Sequence, residues 1–187
     1  MEPIHDPDLE ALGRCRAGDS SAFAELVDRH KDAVYRWVYS WVGRKESAEE
    51  LAQDVFLNAF RNLGNFRGDS KFSTWLHQIA LNRCRDHWRS RQRKPESLVE
   101  EEYLARVESP RASSEVSAVA RQEAEALRSA MAELPDIYRE ALSLRFFGDL
   151  PYEEIAAMLG ENLSNVKMRV MRGLAQLRRK WKGEARP

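Results

Sequence analysis

The chain has 187 residues, 43% of them hydrophobic, and its 30 Lys and Arg balance its 30 Asp and Glu. That length suits one large or two small domains. The absence of any apolar run long enough to span a bilayer excludes a transmembrane protein, and two isolated thiols, Cys15 and Cys84, exclude a disulfide-stapled scaffold.

Overall neutrality conceals a strong segregation of charge. From Arg67 to Lys94 there are eight Lys or Arg and two Asp, a net of +6. From Pro95 to Val116 there are six Glu and two Arg, a net of −4. From Ser164 to Lys182 there are seven cations and no acid. Two basic faces separated by an acidic connector point to nucleic acid. The N-terminus, MEPIHDPDLE, is acidic and lacks a signal-peptide core, so the expected location is the cytoplasm.

In chain order, every element reads as helix. Phe23, Leu26, Val27, His30, Val34, Val38 and Trp41 follow helical spacing, with Asp19 and Ser20 available as caps. Ser47-Ala-Glu-Glu opens the next helix like a capping box. Its apolar stripe is Leu51, Ala52, Val55, Phe56, Ala59, Phe60 and Leu63, and Gly64-Asn65 stops it. After a polar loop, a helix runs from about Phe72 to Arg91 and ends before Pro95. Residues 95–117 are polar, with Pro110, Ser113 and Ser114, and have the composition of a linker. Helices follow over Val119–Leu134 and Ile137–Phe147, the second opened by Pro135-Asp136 and closed by Gly148-Asp149. Tyr152–Leu159 is a short amphipathic helix, Gly160 to Leu163 a turn, and Asn165–Trp181 a final helix with Ser164 and Asn165 as caps. The expected fold is all-α: two small helical domains joined by a flexible linker, the C-terminal one a helix-turn-helix.

Two segments carry chemistry. In FRGDSKFSTWLHQIALNRCRDHWRSRQR, Phe66, Phe72, Trp75 and Trp88 bring rings into the basic run. Rings stack on exposed bases and arginines hold a phosphate backbone, a mixture suited to opened, single-stranded nucleic acid. The competing reading makes Phe72, Trp75, Leu76 and Ile79 a core stripe, and for Trp75 and Ile79 the core is favoured. At the other end, a short helix, a Gly-containing turn and a basic second helix form a helix-turn-helix pattern. Val166, Val170, Leu174 and Leu177 are spaced as its buried face, and Lys167, Met168, Arg169 and Arg172 lie where such helices meet base edges. Complementing the helix dipole explains Arg178 to Lys182 but not Lys167, Arg169 and Arg172. Cys84 and His87 are three apart on one helix, but His77 is too far along it to join them, so no metal or other cofactor is expected.

Taken together, these blocks resemble a small sigma factor of bacterial RNA polymerase, of the extracytoplasmic-function group. The resemblance rests on GDSSAFAELVDRH, AEELAQDVFLNAFRNL, FRGDSKFSTWLHQIALNRCRDHWR, ELPDIYREALSLRFFGDLPYEEIAAMLG and the basic last helix, in that order. It implies a region 2-like domain over residues 1–94, an acidic linker over 95–117 and a region 4-like domain over 118–187. It implies that Glu49, Glu50, Gln53, Asp54 and Asn58 dock on the clamp of the largest polymerase subunit. Phe66, Arg67, Gly68, Asp69, Ser70 and Lys71 match the loop that captures a flipped minus-ten base, Asn82 matches the residue that reads it, and Arg83, Arg85 and Arg89 follow the backbone. Ser164, Asn165, Lys167, Met168, Arg169 and Arg172 match the minus-thirty-five reader, in a domain that also meets the flap of the second-largest subunit. Lys71, Ser73, Met168, Gly173, Leu174 and the GENLSN turn depart from the family's usual residues, which leaves the promoter sequence open. The implied partners are the polymerase core, promoter DNA and an anti-sigma factor, which can hold the protein near the membrane.

The alternative is a conventional helix-turn-helix regulator that binds duplex DNA without polymerase, which leaves the FRGDSKFSTW loop unexplained. An enzyme is disfavoured, because no nucleophile elbow, Walker loop or paired metal-ligand motif occurs.

Overall fold

The computed structural model describes residues 8–93 and 118–181. Among them are eight α-helices: α1 (Leu9–Arg16), α2 (Ala22–Val42), α3 (Lys45–Arg61), α4 (Phe72–Arg93), α5 (Ala118–Ala132), α6 (Asp136–Phe146), α7 (Tyr152–Leu159) and α8 (Leu163–Trp181). The expected acidic linker lies outside the described residues.

Local chemistry explains most boundaries. The Asp19 carboxylate accepts the Ser21 N–H at 3.0 Å and turns the chain into α2. Gly43, at φ +70°, closes α2 in the left-handed conformation and donates its N–H to Tyr39. α3 begins at Lys45, ahead of the expected Ser47, because one extended residue, Arg44, is all that separates it from Gly43. Ser47 therefore falls inside the first turn and caps nothing. At the last helix the capping acceptor is Asn162, whose side-chain oxygen takes the Asn165 N–H at 2.8 Å. Ser164 and Asn165, expected as caps, are already within α8. Helix α1 had no clear periodic signal. It is held by tertiary contacts: Leu12 is 2% exposed, and buried Asp8 before it pairs with His30 at 2.6 Å and with Arg29.

Helices α1–α4 close around Leu26, Trp37, Val38, Val55, Phe72, Leu76 and Leu81, all buried. Each such side chain contributes about 1.5–3 kcal/mol on full burial. A second cluster, Met131, Leu134, Ala141, Leu142 and Val170, forms where α5 and α6 meet α8. Gly173 permits that approach: a Cβ there would sit 2.8 Å from Leu142 Cδ1 and 3.2 Å from Tyr138 Cβ.

The two helical units are docked on one another. Leu144, Leu150, Ile155, Ala156 and Val166 of the second unit complete the core of the first. Polar contacts line the seam. Arg85 forms a two-pronged pair with Glu140, at 2.5 and 2.7 Å, and Thr74 donates to Glu154 at 2.5 Å. Arg139, 1% exposed, lies 4.0 Å over the Trp88 ring and 5.5 Å from that of Trp41, and bonds Asp136 and the Ala132 carbonyl. His77 is buried against Gly148, where a Cβ would meet its Nε2 at 3.2 Å. Burial holds the His77 pKa below its ordinary value.

Candidate nucleic-acid and polymerase interfaces

Three surfaces carry the residues singled out from the sequence. On α3, Glu49, Glu50, Gln53 and Asp54 are exposed along one face. Asn58 is tied down instead: it donates to the Asp54 carbonyl at 2.7 Å and accepts from Arg83 at 2.7 Å. Leu57 and Phe60, 50% and 46% exposed, sit beside the acids and make this surface partly apolar. Phe60 was expected within the buried stripe, but only its edge packs, against Phe23 at 5.1 Å between centroids. Leu57 was missed, although its place one turn after Gln53 and Asp54 puts it on their face.

The second surface is the loop before α4 and the face of α4 that follows. Arg16 anchors the loop by donating to the Phe66 carbonyl. Gly68, at φ +82°, reverses the chain, and Arg67, Asp69 and Lys71 point into solvent, with Ser70 half-buried. The expected stacking role for Phe66 and Phe72 does not survive. They are 4% and 0% exposed and pack edge-on, 5.7 Å apart, beside Trp75. Loop reversal needs an apolar anchor, and these rings provide it. The Trp88 ring is likewise engaged, by Arg139. Along α4, Asn82 and Arg89 are exposed and share a face with Arg85 at helical spacing. Arg85 is the one occupied by Glu140, and that hydrogen bond, opposed by partial burial, raises its pKa. The side chains of Arg91 and Arg93 lie outside the described residues.

The third surface is the solvent face of α8. Ser164, Asn165, Lys167, Met168 and Arg172 are exposed, over a buried row of Val166 and Val170 with Leu174 and Leu177 half-buried. The Lys167 ammonium lies 5.8 Å above the Tyr152 ring. Arg169 pairs with Glu161 of the turn, which also accepts from Asn165 at 3.2 Å. Glu140 and Glu161, the acids that engage Arg85 and Arg169, were both missed. Glu140 lies 55 residues from Arg85, and no pattern local to either residue joins them.

Among the described residues no three His, Cys, Asp or Glu side chains gather as a metal site, and no helix is long and apolar enough to cross a membrane. Cys84 is 1% exposed, and burial raises its thiol pKa far above the ordinary value.

Comparison with known proteins gives these surfaces a context. Residues 26–94 match the sigma-70 region 2 family, and residues 124–177 match sigma-70 region 4. The chain is 35% identical to the RNA polymerase sigma-H factor of Pseudomonas aeruginosa, over 89% of this chain and 90% of that protein. It is 33% identical to the ECF sigma factor SigW of Bacillus subtilis, over 90% and 93%, and 32% identical to the sigma-E factor of Escherichia coli, over 88% and 89%. The structure of CnrH in complex with the cytosolic domain of CnrY superposes with a TM-score of 0.71 at 25% identity, covering 96% of this chain and 100% of that one. The sigma factor RpoE of Bartonella quintana, solved with the anti-sigma factor NepR, shares the fold at a TM-score of 0.63 and 24% identity, over 86% and 96%. The all-α pattern, the two sigma regions in order and relatives above 30% identity across nearly the whole chain agree: the protein belongs to the extracytoplasmic-function sigma factors of bacterial RNA polymerase.

Proposed function

We propose that this sigma factor uses its three exposed surfaces for three tasks in promoter recognition and the opening of DNA. The acidic and apolar face of α3, with Glu49, Glu50, Gln53, Asp54 and Leu57, docks on a basic surface of the polymerase clamp, and Asn58 braces it against α4. The loop Arg67–Lys71 and Asn82 receive an unpaired base of the minus-ten element. Unstacking a base costs a few kcal/mol, and a pocket with polar loop groups can offset that. The Asn82 amide offers both a donor and an acceptor to a base edge. The face of α8 with Lys167, Met168, Arg169 and Arg172 enters the major groove of the minus-thirty-five element. The domain limits are those read from the sequence, 1–94 and 118–187, and the second domain meets the polymerase flap.

The observation that carries this reading is the exposure of Asn82, Arg89 and the loop on one unit together with Lys167 and Arg172 on the other. Held on the polymerase, two modest DNA contacts reinforce each other through effective concentration. Two solved neighbours contain a second protein chain, and we take an anti-sigma factor to be the regulator of this one, acting in the cytoplasm.

Run-off transcription with purified core polymerase on a promoter library tests the reading. Discrete new start sites that depend on the added protein are expected. Asn82→Ala should reduce opening while leaving core binding intact. Loss of core binding in that variant would remove Asn82 from the DNA site. Duplex binding without any core binding would favour the conventional regulator.

A further inference from the structure

We infer that α6 of the second unit is a DNA-mimicking latch: the Glu140 carboxylate occupies the Arg85 guanidinium that would otherwise hold a promoter phosphate. The inference rests on the assignment of Arg85 and its helix face to the minus-ten strand, and goes beyond it by naming what competes for that face.

Geometry carries the argument. A guanidinium presents a planar fork of donors that fits a carboxylate or a phosphate in the same two-pronged way. Both prongs of Arg85 are taken, Nε by one Glu140 oxygen at 2.5 Å and Nη2 by the other at 2.7 Å. Glu140 is nearly enclosed, with 9% of its side chain exposed, and that of Arg85 is 31% exposed. Asp136, one turn before Glu140, lines the same small cavity as Arg85 and Arg89. Asp136 is held by Arg139 of its own helix and borders this cavity, so Glu140 is the carboxylate that takes the place of a phosphate on Arg85. Arg139 seats α6 there by lying against Trp88 and Trp41, and the Thr74–Glu154 bond closes the seam nearer the minus-ten loop. DNA on Arg85 and Glu140 on Arg85 are mutually exclusive, so strand binding and docking of the second unit oppose each other.

Glu140→Gln keeps the shape of the side chain and removes its charge. The closed state then holds an incompletely compensated arginine, whereas the open state exposes that arginine to water, so the variant favours opening. A population shift of this kind raises the apparent affinity for any ligand of the open state in proportion to the open fraction gained.

The test uses the full chain with Cys15→Ser, Thr74→Cys and Glu154→Cys, and a reversible thiol-to-thiol cross-linker that bridges the seam. The probe is a fluorescent single-stranded DNA of randomised sequence. Cross-linked protein is expected to lose DNA binding by roughly tenfold or more and to regain it on reduction. In the same background, Glu140→Gln should slow cross-linking by a similar factor, and excess DNA should slow it further. The exposed Glu123→Gln removes the same charge away from the seam and should change neither. Equal DNA binding by the cross-linked and reduced forms would overturn the latch, as would a Glu140→Gln variant that cross-links as fast as its parent. The reduced protein is also assayed for core-dependent transcription. Transcription with no effect of the cross-link on DNA binding discards the latch alone. Absence of both transcription and core binding discards the underlying assignment as well.

Discussion

Gly173 sits in the middle of the last helix, where glycine costs about 1 kcal/mol of helix stability relative to alanine. Propensity alone therefore predicts that Gly173→Ala stabilises the protein. Packing predicts the opposite. The added methyl would lie 2.8 Å from Leu142 Cδ1, 3.1 Å from Leu142 Cγ and 3.2 Å from Tyr138 Cβ. Leu142 is 1% exposed, so its side chain has no free space to swing into, and Tyr138 Cβ moves only with its backbone. Overpacking a closed core costs about 1–3 kcal/mol. With two of three contacts close to the α6 backbone, the upper half of that range applies, and the net effect is a loss of about 1–2 kcal/mol. That corresponds to roughly 2–8 °C in Tm for a chain of this size. Urea and thermal unfolding followed by circular dichroism measure it. A second variant isolates the cause. Leu142→Ala alone should cost about 2–5 kcal/mol, but in that background Gly173→Ala should become neutral or stabilising, because the methyl enters vacated space. An unchanged or raised stability of Gly173→Ala in the native background would refute the packing argument. So would a penalty that persists in the Leu142→Ala background.

Three further outcomes are expected. His77 is buried with its pKa below the ordinary 6.5, so the unfolded chain takes up a proton that the folded chain resists; its contribution is complete above about pH 6.5 and is lost as pH falls toward the folded pKa. Denaturation midpoints should therefore drop in mild acid, and His77→Gln should flatten that slope. Cys84, buried and held in the thiol form, should stay unreactive to a disulfide reagent until the protein unfolds, while the partly exposed Cys15 reacts first; prompt titration of both thiols would contradict the packing around α4. Arg172→Gln should weaken duplex binding by similar factors on all sequences if it meets phosphate, and lower the slope of log affinity against log salt by about one, whereas a base-specific loss would place Arg172 on a base edge.

Exposure of several candidate residues was legible before any coordinates. Asn82, Lys167 and Arg172, singled out as candidate DNA contacts, are exposed. Helical periodicity signals a face well, because an apolar row on one side leaves the other to water. The same logic misread Phe60, whose apolar character does not say whether a partner covers it, and Phe66, whose place in a basic loop hides its role as an anchor. The capping positions at Ser47 and Ser164 failed for a smaller reason. Several adjacent polar residues could each cap, and the geometry of the preceding turn selected Asn162 for α8 and none for α3.

By itself the sequence determined seven of the eight described helices, their order, the segregation of charge and the family to which they belong, since each depends on residues close together in the chain, whereas α1 rests on tertiary contacts. Only the tertiary structure decided which cations are free to meet DNA. Arg85 and Glu140 are 55 residues apart, Thr74 and Glu154 are 80 apart, and Arg139 finds Trp41 and Trp88 across the seam. An ion pair depends on where two helices come to rest, and that is set by the packing of Leu144, Leu150 and Ile155 into the first core rather than by the charges themselves.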